Sequence, residues 1–372
     1  MVIKLSSRFF KQYTVKIEKR LEYSRKFAIL TTITSILIAF GVAGIALSIL
    51  GVDVVVAYTQ VLTVFTKLPL LIEAIKYAIP IGLAALGLNI AFRMNFWNIG
   101  AEGQIYMGMF ASTGIVLLHV YYGLIPEYLV LITMIVASFI AGGAWCTLPA
   151  ILKAKMKVNE ILTTLMMNYV AIYFIDFLIY GPWRDPKGYG FPLSVPFPSY
   201  AKLTILFGDS VYLGSILLLT MAMVVFLILK YSKLGFELRV IGESLETARY
   251  AGINFVKAIT LGGFISGGIA GLGGLAIVSG IIGRLRPRAS AGYGYTAIIV
   301  TLLSALNPWL IIPTSIFFGG LFVAGNMLQA TLNIPGATID MLQALIFLFL
   351  LFGELIKRYK LRIVVRGVSV EH

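Results

Sequence analysis

The sequence predicts an all-α, polytopic membrane protein of about ten transmembrane helices with both termini in the cytoplasm. Three observations carry this. Of 372 residues, 59% are hydrophobic and 12% are charged, and the mean hydropathy is +0.94, too apolar for a soluble domain that must cover its surface with polar groups. Apolar runs of roughly 20 residues, the length that crosses a bilayer as a helix, follow one another along the chain. The alternating pattern of a membrane barrel is missing.

Residues 1–27 are a basic segment with Lys4, Arg8, Lys11, Lys16, Lys19, Arg20, Arg25 and Lys26. So long a polar stretch ahead of the first apolar run is no cleavable signal, and its charge holds the N-terminus inside. Within a membrane domain of residues 28–356, spans are expected over 28–50, 70–92, 101–118, 128–150, 159–180, 211–230, 258–281, 293–306, 308–327 and 338–356. The Val-rich stretch 52–66 is short for a span and reads as an interfacial or re-entrant piece outside.

Threading from an internal N-terminus puts Arg93, the trio Lys153, Lys155 and Lys157, the 231–257 loop and the basic tail 357–372 in the cytoplasm. The Pro- and aromatic-rich segment 181–210 becomes the main external loop. One cluster disagrees with the charge rule: Arg284, Arg286 and Arg288 fall outside. Either they line the mouth of a cavity or that region is re-entrant. The formal charge of +14 is explained by lipid headgroups and topology, so no nucleic-acid partner is expected, whereas membrane lipid is.

The catalytic inventory is thin. Two histidines, His119 and His372, leave no intramembrane pair for a metal or proton relay. Cys146, the one cysteine, excludes an intramolecular disulfide. Neither a G-x-x-x-x-G-K-[ST] phosphate loop nor a G-x-S-x-G elbow is present, so the chain is no ATPase or enzyme, no cofactor is implied, and energy must come from another subunit or an ion gradient.

Polar residues within apolar sequence mark the candidate sites. Trp97-Asn98-Ile99-Gly100-Ala101-Glu102-Gly103-Gln104 sets a carboxylate and two amides at membrane depth, where they must be paired or line a watery cavity. Two readings stand: a substrate pathway, or bonding between helices. Glu102 and Gln104, two apart, cannot share a helical face, which a helix broken at Gly100 and Gly103 would resolve. Asn159 and Glu160 suit the cap of the fifth span, and Asn168, roughly 13 Å deeper, is placed to meet substrate or another span. Gly263, Gly267 and Gly271 recur every four residues, a pattern for close helix packing. Glu73 and Lys76 are spaced to pair, while Asp340, Asn326 and Gln329 carry no clear role.

In the 231–257 loop, Ser244 can cap a short helix that Gly252 stops, with Glu243 and Glu246 near its positive end and Leu245, Ala248 and Tyr250 to Ala251 along one side. Such a helix suits insertion into a partner's groove. Here the chain resembles a family. Glu246-Thr247-Ala248-Arg249-Tyr250-Ala251-Gly252 has the E-x-A-x-x-x-G spacing of the loop by which ABC importer permeases touch their ATPases, with Thr247 in place of the usual Ala. Residues 235–254 resemble the equivalent loop of permeases for simple sugars, nucleosides and branched-chain amino acids. Asn98 to Gln104, Val158 to Tyr169 and Gly292 to Tyr295 resemble the nucleoside-type branch, with Trp97 in place of a Phe.

The resemblance spans about residues 28 to 356 and implies a permease subunit of an ATP-driven importer in the cell membrane, for nucleosides or, alternatively, ribose-like sugars or branched-chain amino acids. It implies cytoplasmic ABC ATPase subunits, a second and different permease subunit, an extracytoplasmic solute-binding protein and a small neutral polar substrate. Trp97, Asn98, Glu102, Gln104 and Asn168 would serve the pathway, and Glu243, Glu246, Ala248, Arg249 and Gly252 the ATPase coupling. An ion-coupled secondary transporter is the competing class; it would lack the ATPase loop.

Overall fold

The structure, a computed structural model, describes residues 3–4, 13–20, 24–203, 205–206, 211–332 and 334–365. The chain divides into two compact units, residues 1–55 with 334–372, and residues 56–333.

In the first unit, α1 (Arg25–Ile49) packs against α13 (Gly336–Arg358). Ser24 caps α1 by accepting from the Phe27 N–H at 3.2 Å. Gly353 lies directly on Ser35, so the two helices approach closely. The basic termini hold structure that charge alone did not reveal. Strands β1 (Ile3–Lys4), β2 (Tyr13–Lys19) and β5 (Tyr359–Val365) form an antiparallel sheet in which Glu18 faces Lys360, and the two pair at 3.4 Å. Tyr13, Val15 and Ile17 alternate with polar residues, a period-two pattern within the segment read only as basic.

The second unit is helical. It comprises α2 (Val54–Thr66, from residue 56), α3 (Leu68–Arg93), α4 (Ala101–Tyr122), α5 (Glu127–Met156), α6 (Glu160–Tyr180), α7 (Leu213–Tyr231), α8 (Lys233–Glu243), α9 (Leu245–Tyr250), α10 (Phe255–Leu275), α11 (Tyr293–Leu303) and α12 (Pro308–Leu332). A two-strand hairpin, β3 (Ile205–Leu206) with β4 (Val211–Tyr212), precedes α7. Eight helices among the described residues are long and apolar enough to cross a membrane. Expectation and structure part at 293–306: α11 has 11 residues, too few to span. The stretch 52–66 is the short helix α2, whose Val64 packs with Ala74, Val323 and Ala324.

Small residues set the core. A Cβ on Gly267 of α10 would overlap the carbonyl oxygen of Gly142 and the Cβ of Cys146 on α5, so the backbones touch, as the glycine period predicted. α10 then runs into a π-helical stretch, Ala276–Ile282, where the Ser279 hydroxyl donates to the Ala201 carbonyl at 2.6 Å and accepts from the Leu203 N–H at 3.0 Å. The Glu73–Lys76 pair closes at 2.9 Å.

Candidate functional site

Helix α3 ends at Arg93 and α4 begins at Ala101, leaving residues 94–100 irregular yet largely buried. Backbone outside a helix at membrane depth must find partners, and side chains supply them here. The Asn98 Oδ1 accepts from the Gly100 N–H at 2.9 Å and from Gln104 Nε2 at 3.0 Å, while its Nδ2 donates to Gln104 Oε1 at 3.1 Å. The two amides thus close on each other.

Glu102 lies in the first turn of α4, at the positive end of that helix. Its Oε2 accepts from the Gly294 N–H at 2.7 Å, which ties α11 to α4. Asn168 joins a third element: its Oδ1 accepts from the Gly103 N–H at 2.8 Å, and its Nδ2 donates to the Ile99 carbonyl at 2.9 Å and to the Tyr295 hydroxyl at 3.3 Å. Thr164 adds a bond from the Ile99 N–H at 3.1 Å.

Asn98, Glu102, Gln104 and Asn168 are therefore brought together and are at most 2% exposed, bonded within the protein rather than facing open space. Trp97 is not part of this cluster: it is 38% exposed and leans on Phe92 with ring centroids 5.1 Å apart. Nor is the helix broken at Gly103, which lies inside α4 and makes room for Asn168; the break is the connection ending at Gly100. Gln104 and Glu102 do point to different partners, as two residues two apart on a helix must. Asn159 caps α6 at 2.9 Å from the Ile161 N–H, and Glu160 pairs with Lys153 at 2.5 Å.

Further polar residues lie on α6, on α11 and on the segment that leads into α11. Tyr295 is exposed, with its hydroxyl on Asn168. Asp176 of α6 lies 3.8 Å from Arg288 Nε, and its Oδ1 is buried with no hydrogen-bond partner. Arg286 and Arg288 are exposed on the segment leading into α11, and Arg288 adopts the left-handed φ of 52°. A lone Asp inside the apolar run of α6 was the available signal for this pair. These side chains offer hydrogen-bond donors, acceptors and a ring face; no nucleophile and base are set against each other among them.

The loop 231–257 contains two helices rather than one. α8 is capped by Ser232, which accepts from the Gly235 N–H at 3.0 Å, and buries Gly235, Leu238 and Ile241 along one face. α9 starts at Ser244, whose hydroxyl accepts from the Thr247 N–H at 3.2 Å, and is stopped at Gly252 with φ +71°. Glu243, Leu245, Glu246, Arg249, Tyr250 and Gly252 are exposed. Ala248 is the exception: it is fully buried against its own chain, so the side predicted to run through Leu245 and Ala248 is divided between inside and outside.

Residues 70–351 match the family model described as branched-chain amino acid transport system / permease component. The chain is 32% identical to the glucose ABC transporter permease protein TsgB13 of Haloferax volcanii, over 90% of this chain and 90% of the relative. It is 27% identical to the guanosine ABC transporter permease protein NupP of Bacillus subtilis, over 86% and 92% respectively. To the nucleoside ABC transporter permease protein NupB of Lactococcus lactis it is 24% identical, over 72% and 73%. The chain belongs to the branched-chain amino acid transport system / permease component family, as a multi-pass plasma-membrane transport subunit without an ATPase site of its own.

Proposed function

We propose that the chain imports nucleosides as one of two different permease subunits of an ABC importer, with both termini, α8 and α9 in the cytoplasm. An extracytoplasmic solute-binding protein delivers the substrate and cytoplasmic ATPase subunits drive its passage. The observation that carries this reading is α9: a capped helix of six residues anchored by one buried alanine, with Glu246, Arg249 and Tyr250 turned outward. Exposed charged and aromatic side chains on a rigid short helix suit the groove of a partner.

The pathway runs along the wall formed by Tyr295, Asp176, Arg286 and Arg288, and the layer of Asn98, Glu102, Gln104 and Asn168 behind it sets the position of that wall. Intramembrane charge that faces open space belongs with a polar route. Aromatic faces and amides suit a nucleobase joined to a sugar, and a weak hold permits release. Relatives named for guanosine and nucleosides support this substrate; the relative named for glucose supports a sugar as the second reading.

The test is ATP-driven uptake of guanosine and of glucose into vesicles holding the assembled transporter. Guanosine uptake that stops in the Glu246→Lys variant is the expected result. Uptake driven by an ion gradient without ATP would end the importer reading, and transport of glucose alone would end the nucleoside one.

A further inference from the structure

We infer that the pocket at the junction of α3, α7, α8 and α12 is a binding site for a phosphate group, supplied by the headgroup of an anionic membrane lipid. The cavity holds about 350 Å³ and is lined by Arg93, Lys230 and Arg239 together with Phe226 and Asn307. Among the described residues no carboxylate pairs with any of these three cations. Three uncompensated positive charges around one cavity repel each other and create a strong local field for an anion.

Arg93 supplies the second observation. Its Nη2 donates to the Leu306 carbonyl at 2.8 Å, and its Nε is buried with no hydrogen-bond partner. Ala305 and Leu306 both take left-handed backbone, with φ of 48° and 57°, a conformation that costs a non-glycine residue about 1–2 kcal/mol elsewhere in proteins. This turn sets the Leu306 carbonyl on the guanidinium and so fixes Arg93 in the pocket wall, where its charge joins those of Lys230 and Arg239.

The depth of the pocket selects a lipid as the source. It lies where the transmembrane helices α3 and α7 end and α12 begins, with Trp309 packed on Phe226 at 5.8 Å and Lys230 over the rings of Phe226 and Tyr231 at 5.2 Å. Trp, Tyr and Lys collected at helix ends mark the headgroup level. Basic pockets between helices at that level take lipid phosphates. Arg239 belongs to α8, next to the helix proposed to meet the ATPase, so an occupied pocket would brace α8 on α3. The lipid site itself does not depend on that coupling assignment.

The experiment uses the assembled transporter in nanodiscs of phosphatidylcholine with a minor share of phosphatidylglycerol, and reads lipid retained after detergent extraction by native mass spectrometry. The wild type is expected to retain phosphatidylglycerol over phosphatidylcholine. The double variant Lys230→Gln and Arg239→Gln is expected to lose that preference about twenty-five-fold, since each cation near the surface contributes roughly fivefold.

A second pair, Lys157→Gln and Lys233→Gln, removes the same charge from exposed positions outside the pocket and is expected to keep the preference. Melting temperatures in pure phosphatidylcholine check that both variants fold. Equal loss in the two double variants, or no loss in the first, would overturn the site. Protection of the pocket by inorganic phosphate with no lipid preference would overturn the lipid source.

Discussion

The Glu102 carboxylate accepts the Gly294 N–H at 2.7 Å across 192 positions of sequence. Gly294 sits so close to the Glu102 backbone that the first turns of α4 and α11 touch, and the bond locks that contact. α11 is too short to span, and it owes its place to this tie and to Thr301, whose hydroxyl reaches the Ala85 carbonyl at 3.1 Å. Glu102 is thereby a determinant of where Tyr295 stands.

Glu102→Ala removes the acceptor and strands a buried N–H, so a loss of about 2 kcal/mol in stability is expected. Glu102→Gln keeps an acceptor in place and is expected to melt close to the wild type while transporting more slowly. Thermal denaturation and uptake measured on the same preparations separate the two effects. Unchanged uptake in Glu102→Gln would reduce the residue to a tie between helices.

Tyr295→Phe deletes the hydroxyl that accepts from Asn168 at 3.3 Å but keeps the ring. Stability is expected to fall by about 1 kcal/mol or less, because one neutral hydrogen bond at an exposed side chain is lost. Substrate affinity in transport is expected to weaken with a raised half-saturation concentration. An unchanged value would remove Tyr295 from the pathway wall.

Glu246→Lys reverses charge at an exposed position of α9, so the protein is expected to fold and insert normally while ATP-driven uptake fails. Co-purification of the ATPase is the direct readout. Ser244→Ala removes the cap of the same helix and is expected to loosen it by about 1 kcal/mol, giving partial loss of ATPase retention.

Gly267→Ala drives a methyl group into the Gly142 carbonyl oxygen and Cys146. Neither a carbonyl oxygen nor a Cβ can rotate away, so a destabilisation of about 1–3 kcal/mol is expected, seen as a lower melting temperature in detergent. Ala substitution at Gly41, which lies within α1 with open space around it, serves as the control and is expected to leave melting unchanged or slightly raised.

Local signals proved readable in the sequence. Ser244 and Gly252 bound α9, and Asn159 caps α6, because a cap is settled by neighbours three residues away. The glycine period announced a close helix contact on α10, although not that α5 would be the partner. Pairings between distant segments were not readable: Glu102 with Gly294, Asp176 with Arg288, and β2 with β5 each depend on which surfaces the fold brings together. The apolar run 293–306 looked like a span because composition cannot tell a buried short helix from a crossing one.

The direct backbone contact between Gly142 and Gly267 has a mechanical consequence. Interlocked main chains have no cushion of rotamers to absorb displacement, so α5 and α10 must turn as a single stiff strut. The same holds for α4, where a Cβ on Gly108 would overlap the Gly271 carbonyl oxygen of α10, so α4 is locked into that strut as well.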